Sequence, residues 1–265
     1  MTSVFTPSHR TGCGTPLVLL HGFTDTWRTW ELVLPTLARR HDVLAPTLAG
    51  HTGGPRLRGA VSHDVVADEI ERAMDAAGFA TAHVVGNSLG GYVALQLAAR
   101  GRAESVVAFA PAGGWTPGDP AFDEVIRAFG PIQAQLKLAA PYADRIVASA
   151  DGRRRATQLI VVNSDHIPPE LIAHQMVGIA GCPAAPEMID YAVRAGYPLD
   201  PQRITCPVRM VWGSADLLLP WPSAAVRYRE LIPQAEWVVL DGVGHCPQLD
   251  VPVEAAQLII GMTAD

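Results

Sequence analysis

The chain has 265 residues, 49% of them hydrophobic and 17% charged, with a formal net charge of −6. So apolar a chain buries a core and is not disordered, and its acidic balance lacks the basic stripe that a nucleic-acid surface needs. Its four cysteines, Cys13, Cys182, Cys206 and Cys246, show no CxxC spacing, which argues against a zinc ribbon and a disulfide scaffold.

The first residues, MTSVFTPSHR, lack the apolar stretch of a secretory signal, and no run is long enough to cross a bilayer. The expectation is a cytoplasmic protein, monomer or homodimer, acting on a small molecule without nucleic-acid or membrane partners. PLVLLHG (16–22) reads as a strand stopped by Gly. Residues 30–39 have helical spacing, and DVLAPTL (42–48) is again strand-like. A helix over 62–77 is predicted, with Ser62 as its N-cap and Gly78 as its stop. AHVVGNS (82–88), a helix over 89–99 and SVVAFAPA (105–112) follow. These strands are continuous apolar runs, as a parallel sheet covered on both faces requires.

After Ala112 the rhythm breaks. GGWTPGDP (113–120) is a linker, and helical periodicity then runs to about 198, cut by Pro131, Pro141, Pro168, Pro169 and Pro186 into four or five short helices. The alternation returns with PVRMVWG (207–213), a helix over 223–231, EWVVLDG (236–242) and a final helix over 253–260. The fold class predicted is α/β, a mostly parallel doubly wound sheet with an inserted helical cap. Residues 1–112 and 201–265 form the core, and residues 113–200 the lid. No internal repeat or low-complexity tract is present.

VVGNSLGG (84–91) carries the chemistry. Gly86, Ser88 and Gly90 fit G-x-S-x-G between a strand and a helix, a strained turn that lifts a serine hydroxyl above the sheet. The helix N-terminus beneath it favours developing negative charge. A serine hydroxyl needs a base, and nine histidines compete for the role. His245, in GVGHCPQLD, follows the last strand. His21 reads as a structural turn residue, His83 as a strand cap or surface residue, and His51 as a turn residue or a wall of the site. His9, His41, His63, His166 and His174 read as solvated or satisfied. Asp216, in VWGSADLLLP, lies in a loop after a strand, either as the acid that orients the base or as the first residue of an Asx-turn. Asp241 and Asp250 read as turn and N-cap residues, and Cys246 as packing.

Taken together, HGF early, GNSLGG in the middle and GHCPQLD late resemble the α/β-hydrolase superfamily, over nearly the whole chain except the lid. The resemblance implies Ser88 as nucleophile, Asp216 as orienting acid and His245 as general base. It implies an oxyanion hole made of the backbone N–H groups of Phe23 and Leu89, and no metal or organic cofactor. It also implies the reaction: hydrolysis of a small to medium hydrophobic carboxylic ester through an acyl-enzyme. The alternatives are C–C bond cleavage of the meta-cleavage-product type, lyase or cyclase chemistry, or a slowly hydrolysing receptor on the same triad. Haloalkane dehalogenases and epoxide hydrolases are similar but place Asp at the elbow. The GNSLGG elbow resembles that of C–C hydrolases, whereas HGFTDTW looks more like the loop of esterases, haloperoxidases and epoxide hydrolases. Trp27, Asn87, Trp115, Leu217, Leu218 and Trp221 are the candidate substrate-pocket residues.

Overall fold

The computed structural model describes residues 4–263. Strands β1 (Ser8–Gly12) and β2 (Thr15–Leu20) lead to a short helix α1 (Leu34–Leu37). They are followed by β3 (His41–Pro46), α2 (His63–Ala77), β4 (Ala82–Asn87), α3 (Leu89–Ala99) and β5 (Ala103–Phe109). The chain then runs through helices α4 (Pro120–Ala139), α5 (Ala143–Val147), α6 (Ala150–Thr157), α7 (Pro169–Gly181) and α8 (Ala185–Ala195), with no strand among them. It closes with β6 (Val208–Gly213), α9 (Val226–Leu231), β7 (Glu236–Leu240), α10 (Pro247–Asp250) and α11 (Pro252–Thr263).

The strands form one sheet in the order β1-β3-β2-β4-β5-β6-β7, with β1 antiparallel to β3 and every other pair parallel. Side chains alternate along each strand, so the sheet has two apolar faces. Val18, Leu20, Val84, Val106 and Met210 pack with Val66, Ile70 and Met74 of α2 and Val93 and Leu97 of α3. Leu17, Leu19, Val85, Val107 and Val211 pack on the opposite face with Trp30, Leu37 and Ile259. Each such side chain, removed from water, contributes about 1.5–3 kcal/mol before the entropy of ordering it is subtracted.

The caps of α2 follow the expectation. Ser62 Oγ accepts the Val65 N–H at 3.2 Å, and Gly78 takes a left-handed φ of 82°. Other elements depart from it. β1 was not anticipated, because its residues SHRTG hold no apolar run; backbone pairing to β3 holds it at the sheet's edge. The helix expected over 30–39 is a turn of 3-10 helix at Trp27–Trp30 followed by the four residues of α1. Pro131 does not break the chain, for α4 runs through it. Pro169 and Pro186 instead occupy first-turn positions of α7 and α8, where the missing N–H is no loss.

Chain direction across the sheet reverses beside β2: β3 lies on one side of it and β4 on the other. In open α/β sheets a crevice forms at such a point, beyond the carboxyl ends of the strands. The loop after β2 carries Gly22 and Phe23, and the turn after β4 carries Ser88.

Candidate active site

Ser88 sits between β4 and α3 with φ 55° and ψ −116°, a left-handed backbone that a residue with a Cβ adopts only under strain. The neighbouring glycines make the turn possible. A Cβ on Gly86 would lie 2.1 Å from the Gly90 carbonyl oxygen, and one on Gly90 would lie 2.2 Å from that of Leu20. The turn is pinned on both sides. The Ser88 N–H donates to Phe109 O at 2.9 Å, and Ser88 O accepts from the N–H groups of Ala112 and Tyr92 at 3.0 and 3.1 Å.

Asp216 follows β6 and His245 follows β7. Gly213 allows the two loops to meet, since a Cβ there would stand 2.1 Å from Val243 O. His245 Nδ1 lies 2.7 Å from Asp216 Oδ2, with both side chains almost fully buried. Asp216 Oδ1 accepts the N–H groups of Leu218 and Leu219 at 2.9 and 2.8 Å, so the carboxylate is fixed by its own turn while it holds the imidazole. One carboxylate therefore makes both the Asx-turn and the contact with the imidazole. An Nδ1–H donated to Asp216 leaves Nε2 bare, the form a general base needs. Ser88 and His245 line the same cavity.

Phe23 and Leu89 line it too, and neither backbone N–H bonds to a described residue. His21 sets the loop of Phe23. Its Nε2 accepts the Leu48 N–H at 2.8 Å, which places the proton on Nδ1, 2.7 Å from Gly22 O. Burial pushes this imidazole well below its ordinary range, so it stays neutral. His51 is buried against His21 and Phe23, with Nδ1 3.1 Å from Ala49 O, and burial lowers it to about 4. It is a turn residue that backs the loop, not a lining residue.

Of the pocket candidates, Trp115 and Leu218 line the cavity and the other four do not. Trp27 stacks on His9 at 4.7 Å and gives its indole N–H to Thr6. Trp221 lies against Trp212 and Trp237 under the Arg229 guanidinium. Leu217 is 65% exposed. Asn87 is buried behind the elbow, its Nδ2 donating to the carbonyls of His245 (2.9 Å) and Phe109 (3.2 Å). The reason is shared: sequence adjacency to a reactive residue does not set the direction of a side chain. His83 is neither cap nor surface residue, being buried with Nδ1 2.9 Å from Ser105 Oγ. Asp250 is no N-cap. It accepts the N–H groups of Gly244, Val162 and Asn163 and so anchors the His245 loop. Cys246 packs as expected, its thiol pushed well upward by burial, so it carries no thiolate at neutral pH.

The motifs missed a buried polar chain behind the site. Gln175 of α7 donates to Asp25 Oδ2 at 3.1 Å, and Asp25 Oδ1 accepts the Thr26 N–H at 2.8 Å. Gln248 Nε2 reaches both Thr29 Oγ1 and Asn87 Oδ1 at 3.2 Å. Burial outweighs these bonds and raises the Asp25 carboxyl to about 6. A carboxyl raised above its unfolded value costs nothing below about pH 4, where both states are protonated; the cost grows through about pH 4–6 and is complete above it. Asp25→Asn removes that cost. The variant is expected to gain on the order of 2 kcal/mol over the parent at pH 8, with no gain at pH 4, read from urea unfolding at both pH values.

Among the described residues, no group of three or more His, Cys, Asp or Glu side chains is placed to hold a metal ion, and no helix is long and apolar enough to cross a membrane.

Residues 15–252 match the model of the alpha/beta hydrolase fold family. The chain belongs to the α/β-hydrolase family. Among its relatives, this α/β-hydrolase is 34% identical over 203 residues to the epoxide hydrolase EphH of Mycobacterium tuberculosis, a match covering 75% of this chain and 94% of that one. It is 38% identical to 2-hydroxymuconate semialdehyde hydrolase of a Pseudomonas species over 96 residues, 35% of this chain and 34% of that one. A thermophilic esterase from Thermogutta terrifontis shares the fold, with TM-score 0.70, 21% identity and coverage of 96% of this chain and 91% of that one.

Proposed function

We propose that this α/β-hydrolase cleaves a small to medium apolar carboxylic ester through an acyl-enzyme on Ser88. The observation that carries the reading is the convergence of a serine on a strained elbow with a histidine in one cavity, the histidine's far nitrogen held by a buried carboxylate. In the proposed reaction Ser88 Oγ attacks the ester carbonyl carbon while its proton passes to His245 Nε2. The oxyanion takes the N–H groups of Phe23 and Leu89, each worth about 3 kcal/mol in the transition state. His245 returns the proton to the departing alkoxide. It then draws one from water, which attacks the acyl carbon and frees Ser88. Helices α4 and α8 contribute Ile126, Phe129 and Met188 to the cavity wall, in keeping with residues 113–200 acting as a lid.

The likeness to an epoxide hydrolase raises a second chemistry, which the nucleophile disfavours. An epoxide opened by a serine oxygen leaves an alkyl ether, with no carbonyl for water to attack, and the enzyme would stall after one event. The expected results are rapid release of p-nitrophenol from p-nitrophenyl butyrate and labelling of Ser88 by a fluorophosphonate. From styrene oxide, no diol is expected beyond that made by Ser88→Ala protein. Fluorophosphonate labelling elsewhere, or efficient diol formation without ester turnover, overturns the proposal. The match to 2-hydroxymuconate semialdehyde hydrolase keeps C–C cleavage as the second reading. Turnover of that semialdehyde with a higher kcat/KM than any ester tested would establish it.

A further inference from the structure

The backbone N–H of Phe23, one of the two donors proposed for the oxyanion, belongs to a tight turn. The Asp25 N–H donates to Gly22 O at 3.3 Å, so Phe23 and Thr24 are the central residues of that turn. Thr24 holds a φ of 65°, in the left-handed region that a β-branched residue rarely enters. Such a backbone persists only where its surroundings over-determine it. On the entry side His21 does this, through Gly22 O and the Leu48 N–H. On the exit side the fixing groups come from α7, 150 residues further along the chain.

Two adjacent residues of α7 meet two adjacent residues at the end of the turn. Gln175 Nε2 donates to Asp25 Oδ2 at 3.1 Å, and His174 Nε2 lies 3.2 Å from Thr26 Oγ1. Asp25 Oδ1 accepts the Thr26 N–H at 2.8 Å, which joins the two contacts into one bridge. Thr26, His174 and Gln175 are almost fully buried. None of the four residues lines the cavity. The helix is itself braced, because its Leu171, Ile172 and Met176 pack in one apolar cluster with Cys246 and Leu249, just beyond His245. One helix therefore packs against the segment that carries the proposed base and grips the turn that carries a proposed oxyanion donor.

We propose that Gln175 and Asp25 are positioning residues: their bridge fixes the turn from Gly22 to Asp25 so that the Phe23 N–H points at the developing oxyanion. The inference rests on the serine-hydrolase reading and adds to it a part of the chain outside the motifs. The direction of that N–H matters most in the transition state, where the carbonyl oxygen takes on charge. Loss of the bridge therefore acts on kcat and leaves KM nearly unchanged.

The test measures hydrolysis of p-nitrophenyl butyrate and inhibition by butyl trifluoromethyl ketone. Ser88 Oγ adds to the ketone carbon, its proton passes to His245, and the carbonyl π pair becomes an oxyanion facing the same donors. Rates are taken per Ser88 labelled to completion by a fluorophosphonate, which leaves misfolded protein out of the count. Gln175→Leu keeps the bulk of the side chain and removes the donor. It is expected to lower kcat about tenfold or more, to hold KM within about twofold, and to raise the Ki of the ketone in step with the fall in kcat. Asp25→Ala is expected to do the same. Asp25→Asn is expected to recover most of that loss, because its amide can donate to Gln175 Oε1 once the glutamine amide turns over; in the parent that oxygen accepts no hydrogen bond from a described group. Three results overturn the inference: kcat within about threefold of the parent in Gln175→Leu and Asp25→Ala, a fall in kcat with Ki unmoved, or Asp25→Asn protein as slow as Asp25→Ala. A parent that the ketone does not inhibit, or hydrolysis that persists in Ser88→Ala protein, overturns the ester reading, and the inference falls with it.

Discussion

Replacing Ser88 with Ala is expected to lower kcat for p-nitrophenyl butyrate by roughly a millionfold, to the rate left by binding and the oxyanion donors alone. The substitution isolates the hydroxyl. Alanine keeps the Cβ, so the left-handed backbone at φ 55° and its strain are unchanged. The three backbone hydrogen bonds that pin the turn involve only the N–H and carbonyl of residue 88. Melting temperature is therefore expected to match the parent within a degree or two, and fluorophosphonate labelling is expected to vanish. Retained activity within tenfold of the parent would remove Ser88 from the reaction.

The sheet was legible wherever one physical demand dominated. Strands buried on both faces must be apolar throughout: β4 lies within the run that suggested it, and β2, β3 and β5 overlap theirs but begin one or two residues earlier. β1 was not legible for the converse reason. An edge strand needs only backbone pairing, and SHRTG carries no pattern beyond it. Local caps also spoke clearly: Ser62 and Gly78 bound α2 through chemistry confined to a few residues. Pro131 misled because a proline within a helix is judged by what it costs locally, whereas α4 packs along both α7 and α8.

At the site, the glycines around Ser88 were legible because close backbone approach tolerates no other residue. The pocket was less so. Trp27, Leu217 and Trp221 flank motif residues, yet their rings and chains turn toward β1, solvent and a tryptophan cluster. Direction there follows from packing between distant segments. The same holds for His63 and Tyr191, which come together across 128 residues of sequence. The four-residue spacing of Ser88, at the N-cap of α3, and of Tyr92 and Gln96 within it puts all three along the cavity wall. Asn87 shows how an elbow residue can serve the site without facing substrate, since it ties the carbonyl of His245 to the turn that carries Ser88.

Asp216→Asn is expected to lower kcat by about ten-thousandfold with KM little changed, and the local hydrogen bonds say why. The side-chain oxygen at the Oδ1 position accepts two backbone N–H groups, from Leu218 and Leu219. An asparagine must keep its carbonyl oxygen there, because turning the amide over would set NH2 against both donors. Its Nδ2 then faces His245 Nδ1, where Asp216 Oδ2 stood at 2.7 Å. Two donors cannot share that contact, so the imidazole shifts its proton to Nε2 and gives Nδ1 to the amide as acceptor. The nitrogen available to Ser88 now carries a proton and takes none. The fold loses little, because every backbone partner of residue 216 is retained. The decisive measurement is kcat in the variant at a melting temperature equal to the parent's. A loss below about a hundredfold would mean that another group orients the base.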